Sequence, residues 1–162
     1  MNVLDVAADK EKKVKSYYEK VARETALAGI KNIFTLLAGD EQKHYEMVLA
    51  LKSGVLPDLS PDSTVLEYAR EAVGKMIGNK DAAELIGNDL EGYRHALEVE
   101  AESVRFYDRI AAQENNEDSR KILLKILGEE KKHYNVVENL YDFALKPEYF
   151  LEWGEFSNLR EL

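Results

Sequence analysis

The sequence contains no cysteine. That removes disulfides, thiolate catalysis, zinc fingers and every iron–sulfur or rubredoxin-type site at once. Any metal bound here must sit on carboxylate and imidazole. Proline is limited to Pro57, Pro61 and Pro147, so long stretches can run as uninterrupted helix. Strand signals are missing. No apolar run approaches the roughly 20 residues of a membrane span, and the N-terminus lacks the basic-then-apolar order of a signal peptide. A cytoplasmic location with no membrane partner is therefore expected. Positive charge is also short: 22 Lys and Arg face 31 Asp and Glu, a net charge of −9, and the basic residues are scattered. Nucleic acid is excluded as a partner, because sequence-independent binding needs a basic stripe.

What remains is a chain of 162 residues, 45% apolar, expected to form one domain over 1–162. Apolar residues recur at helical spacing from Val3 to about Glu24 (helix A) and from about Ile30 to Leu51 (helix B). Residues 52–81 read as a long crossover with one short helix. Thr64 and Glu67 fit a capping box that starts it, and Gly78-Asn79 supplies a left-handed stop after Ile77. Asp81 and Glu84 repeat the capping pattern, so helix C begins between Ala82 and Leu90 and runs to about Gln113. A polar turn over Glu114–Asp118 precedes helix D, from Ser119 to about Leu145. In the tail over 146–162, the aromatic stretch from Tyr149 to Phe156 is expected to cap the bundle end.

The two halves repeat one another. Tyr17–Ala22 (YYEKVA) matches Phe106–Ala111 (FYDRIA), and Leu37–Val48 (LAGDEQKHYEMV) matches Ile126–Val137 (ILGEEKKHYNVV), both at an offset of 89 residues without a gap. The shift places Glu11 on Glu100, Tyr18 on Tyr107, Glu41 on Glu130 and His44 on His133. Each half is a helix hairpin (about 3–51 and 82–145), and the long crossover joins the two into an all-α four-helix bundle. Residues equidistant from an antiparallel turn lie side by side. Glu100 and Glu130 are centred on residue 115, and Glu11 and Glu41 on residue 26. Both glutamate pairs are expected at one height.

Glu41 and His44, spaced i, i+3, share a face with Leu37, Ala38, Tyr45 and Val48; Glu130 and His133 repeat this beside Ile126, Leu127, Tyr134 and Val137. A single Glu-x-x-His usually marks a solvated face, and composition alone gives about 0.4 such pairs by chance. Two in register, each with a glutamate 30 residues upstream, point instead to an interior site. Four buried carboxylates would repel one another and take up protons. Two divalent cations balance that charge with both histidines neutral.

On these residues the chain resembles the ferritin-like di-iron carboxylate superfamily, and within it the rubrerythrin-like proteins, from about Ala7 to Leu145. The resemblance implies Glu11 and Glu100 as terminal ligands, Glu41 and Glu130 as bridges, and His44 and His133 as one imidazole per iron. It also implies Tyr18 and Tyr107 as donors to the carboxylates. Rubrerythrins append a cysteine-ligated rubredoxin domain. Here electrons are expected from an external donor, a rubredoxin-like protein or ferrous iron itself. They also carry an extra carboxylate one turn along helix C, where this chain has Leu97 and Ser103; Glu98 and Glu102 face away.

The implied function is reduction of dioxygen or hydrogen peroxide at two irons, with manganese or zinc able to occupy the same ligands. An iron-handling ferroxidase and a metal-stabilised structural bundle are the alternatives, and a homodimer is expected. Asp40 and Glu129 read as solvated carboxylates, or else as acceptors for His133 and His44. Asp9 is the substitute for Glu11, and His95 reads as a surface or helix-packing residue.

Overall fold

The computed structural model describes residues 2–59 and 61–146. Among them are six helices: α1 (Val3–Glu24), α2 (Ala28–Lys52), α3 (Val65–Met76), α4 (Lys80–Asn88), α5 (Leu90–Gln113) and α6 (Glu117–Leu145). No strand occurs among the described residues, and no helix is long and apolar enough to cross a membrane. The aromatic tail lies outside the described residues.

Helix α1 starts where the Asn2 side chain accepts from the Leu4 N–H, at 2.8 Å. Its buried face runs Ala7, Glu11, Val14, Tyr18 and Val21, the alternating four-three spacing of a bundle seam. Helix α5 repeats that spacing with Ala96, Glu100, Ser103, Tyr107 and Ile110. The carboxylates thus occupy core positions on otherwise apolar stripes. Helix α1 lies along α2 and α5 along α6, each pair joined by a three-residue turn, 25–27 and 114–116. These turns centre on residues 26 and 115, as the equidistance of the glutamates requires. The second turn is shorter than the polar stretch suggests. Asn116 caps α6 through its side chain on the Ser119 N–H, so Glu117 and Asp118 enter the first helical turn, where acidic charge suits the helix dipole.

The crossover carries two short helices rather than one. Helix α3 ends at Met76, and Gly78 then takes φ +89°, a left-handed conformation that side chains disfavour. The Thr64 side chain caps nothing. The Ser63 hydroxyl accepts from the Val65 N–H instead, at 3.2 Å. Likewise α4 is capped by Asn79 on the Ala82 N–H, at 3.0 Å, and not by Asp81. The second hairpin begins only at Leu90. Asp89 breaks the chain there, and its carboxylate accepts from Thr25 Oγ1 at 3.1 Å and the Tyr93 hydroxyl at 3.3 Å.

Two apolar clusters form the core. One joins the C-terminal part of α1, the N-terminal part of α2 and the C-terminal part of α6 to Tyr93, Ala96 and the buried faces of α3 and α4. The other joins Ala7, Met47, Val48, Tyr107, Ile110, Ile122 and Ile126 at the opposite end. Phe34, fully buried, meets Tyr18 edge-on at 5.5 Å and stacks on Tyr93 at 6.0 Å. Phe34→Ala should destabilise the fold by about 3–5 kcal/mol through lost burial and a cavity, measured as a lower midpoint in urea.

Candidate metal centre

Between the two apolar clusters, the six residues from the repeated motif converge. Glu11, Glu41, His44, Glu100, Glu130 and His133 are each at most 1% exposed. They form two groups whose candidate ligand atoms all lie within 4.8 Å of one another: Glu11, Glu41, His44 and Glu130 in one, Glu41, Glu100, Glu130 and His133 in the other. Glu41 and Glu130 belong to both. His44 Nδ1 lies 2.8 Å from Glu130 Oε1, and His133 Nδ1 lies 3.0 Å from Glu41 Oε1. Each imidazole therefore reaches across to the glutamate of the other hairpin.

The tyrosines cross over in the same way. The Tyr18 hydroxyl on α1 donates to Glu100 Oε1 on α5, and the Tyr107 hydroxyl on α5 donates to Glu11 Oε1 on α1. Each phenol occupies one carboxylate oxygen only. Glu11 Oε2, Glu100 Oε2 and Glu130 Oε2 are buried with no hydrogen-bond partner. Such orphaned oxygens are costly unless something of opposite charge meets them. All three belong to residues of the two groups, and together with two inward Nδ1 atoms they form an oxygen and nitrogen donor set that fits a pair of divalent cations.

Electrostatics favour the same answer. Burial, followed by the charge of Glu41, pushes the Glu11 carboxyl well above its ordinary 4.5. Burial and the charges of Glu41 and Glu100 do the same to Glu130. Glu41 goes the other way, because its interactions with Glu11 and with both histidines outweigh the effect of burial. Burial opposes charge on His44 and His133, but the surrounding carboxylates overcome it and raise both well above 6.5. Without cations, the interior must therefore retain protons to limit repulsion.

Asp40 and Glu129 are not solvated. They are 7% and 4% exposed, and accept the outer N–H groups of His133 and His44 at 2.9 and 2.8 Å. Burial would raise Glu129, but His44, the Ser63 N–H and Lys125 together lower it to about 2. The repeat carried a signal for this pair, since an acidic residue precedes the Glu-x-x-His glutamate in both halves. Ser63 left no such signal, since the position 89 residues on is Glu152 and not a serine. Asp9 is exposed and paired with Lys13 at 2.9 Å, away from the cluster, so it does not replace Glu11. His95 is exposed, edge-on to Tyr17 at 4.7 Å. Glu98 and Glu102 face solvent, while Ser103 is buried and Leu97 half-buried, so no fifth carboxylate enters from α5.

Searches against curated proteins and against solved structures find no significant match. A family model for rubrerythrin matches residues 2–141. That span contains both Glu-x-x-His motifs, the glutamates upstream of them and the two crossing tyrosines. With the fold and the doubled cluster agreeing with it, the match shows that this chain belongs to the rubrerythrin family.

Proposed function

We propose that the cluster holds two iron ions and that the protein reduces dioxygen or hydrogen peroxide with electrons from an external donor. The observation that carries this reading is the sharing of Glu41 and Glu130 between both ligand groups, which suits a bridged pair of ions rather than two separate sites. Glu11 and Glu100 are then terminal carboxylates, and His44 and His133 each offer Nδ1 to one ion. A carboxylate-bridged iron pair, when bound, supplies a two-electron redox change and open positions for the oxidant.

The chain's own residues do the rest. Tyr18 and Tyr107 hold Glu100 and Glu11 by one oxygen each, leaving the other oxygen free to ligate. Asp40 and Glu129 keep the outer face of each imidazole protonated, so that Nδ1 points inward with its lone pair. The apolar clusters at both ends exclude bulk water from the reacting oxygens. Peroxide takes two electrons and two protons to give two waters; dioxygen takes four of each. None of the 162 residues is a cysteine that could hold a rubredoxin-type iron. A rubredoxin-like protein or ferrous iron is the donor. Manganese and zinc compete for the same ligands.

Anaerobic titration of the apoprotein with ferrous iron should saturate at two ions per chain. Mixing with oxygen or peroxide should then oxidise the bound iron faster than free ferrous iron, with repeated turnover when reductant is present. Absence of saturable binding would sink the proposal. Uptake far beyond two ions on a shell-sized particle would favour iron handling. Metal binding with neither oxidation nor turnover would leave a structural bundle.

A further inference from the structure

The repeat accounts for every side chain of the cluster but not for what holds its outer face. Ser63 lies in the crossover, which occurs once in the chain, and is 5% exposed. Its backbone N–H donates to Glu129 Oε2 at 2.7 Å, and its hydroxyl donates to Asp40 Oδ2. Glu129 and Asp40 in turn take the Nε2–H of His44 and His133. A continuous hydrogen-bonded chain thus runs from His44 through Glu129, Ser63 and Asp40 to His133. Ser63 is itself fixed. Its hydroxyl oxygen accepts from the Val65 N–H at the start of α3, and its neighbour Asp62 accepts from Lys125 Nζ at 2.9 Å on α6. Lys125 Nζ also stands 3.6 Å from Glu129 Oε2.

We propose that Ser63 is the positioning residue for both buried histidines, acting on His44 through its backbone N–H and on His133 through its hydroxyl. A carboxylate only accepts hydrogen bonds, so Asp40 and Glu129, once held, oblige each imidazole to present N–H outward and Nδ1 inward. The two arms are unequal in kind. A side-chain substitution at Ser63 removes the hydroxyl arm and leaves the backbone arm in place. The otherwise symmetric cluster therefore has one half that depends on a crossover side chain and one that does not. The consequence for ion affinity rests on the metal reading above; the hydrogen-bond assignment does not.

The test uses the full chain with 15N-labelled histidine, as apoprotein and after addition of Zn2+, in wild type, Ser63→Ala, Ser63→Gly and Ser63→Thr. Wild type should show slowly exchanging Nε2–H signals from both His44 and His133. In Ser63→Ala and Ser63→Gly, the His133 signal should lose its protection while that of His44 keeps it. One of two Zn2+ equivalents should bind about 10–100-fold more weakly and the other unchanged. Ser63→Thr, which retains a hydroxyl, should restore both properties. A merely structural loss would weaken both histidines alike and would not be rescued selectively, and that result overturns the proposal. So does Ser63→Ala with wild-type protection at His133. If wild type binds no Zn2+, the metal reading fails, yet the Nε2–H signals still decide whether Ser63 positions the histidines.

Discussion

Glu41→Ala or Glu130→Ala is expected to abolish binding of both ions, whereas Glu11→Ala or Glu100→Ala should cost only one. The difference follows from membership: Glu41 and Glu130 stand in both ligand groups, Glu11 and Glu100 in one each. An ion in hundredfold excess over its Kd stabilises the folded chain by about 2.7 kcal/mol, since the unfolded chain offers no assembled site. For a domain of this size each kcal/mol moves the melting temperature by about 2–4 °C. Wild type should therefore gain on the order of 10–20 °C from two ions, Glu11→Ala about half of that, and Glu41→Ala nothing. Glu41→Gln and Glu130→Gln, close in shape, keep the packing and should show the same loss of ions. Without metal, Glu130→Gln should melt no lower than wild type, because it removes a source of repulsion from a crowded interior, whereas Glu41→Gln should melt lower, because it removes the carboxylate that the histidines hold charged. Counting bound ions and comparing melts with and without metal checks the prediction. Equal losses for Glu11→Ala and Glu41→Ala would mean that no carboxylate is shared.

Stability should respond to pH in opposite directions with and without metal. In the apoprotein, Glu11 and Glu130 have carboxyl groups raised above their unfolded 4.5, and His44 and His133 are raised above 6.5. Each of these binds its proton more tightly when folded. Its stabilisation is complete below the unfolded value and is lost as pH rises through the folded one. Glu41 and Glu129 are lowered, so theirs is present above 4.5 and disappears as pH falls through their folded values. The apoprotein should therefore be most stable on the acid side of neutrality and weaken toward alkaline pH. Metal replaces those protons, so its binding tightens with pH by about tenfold per unit for each proton displaced. The gap between metal-loaded and apo melting temperatures should widen steadily from about pH 5 to about pH 8. A gap independent of pH would show that the ions displace no protons, and so do not sit among these carboxylates.

The elements that read correctly from sequence are those governed by local chemistry. Helical spacing placed α1 and the ends of α5 and α6 to within two residues, because an apolar stripe and a polar turn are both short-range signals. The 89-residue offset gave the register of the two hairpins, and helical geometry then put Glu41 and His44 on one face. The caps of the crossover failed for a related reason. Thr64 and Asp81 are competent capping residues, but Thr64 directly precedes α3 without capping it while Ser63 takes the Val65 N–H, and Asn79 directly precedes α4 while Asp81 lies inside it. Local propensity ranks such neighbours almost equally.

Asp40 and Glu129 show where sequence stops. An acidic residue beside a helical glutamate ordinarily meets solvent, and nothing local distinguishes one that will be buried against a histidine from another helix. By itself the sequence determined an all-helical chain in two matching hairpins, with six metal-competent side chains on the inner stripes, because periodicity and repetition are written along the chain. Only the tertiary structure decided that His44 meets Glu130, that Tyr18 meets Glu100, and that Ser63 joins the outer carboxylates of both halves. Those pairings bring together residues more than 20 positions apart, on different helices or in the crossover, and their partners are chosen by packing, which no single segment encodes.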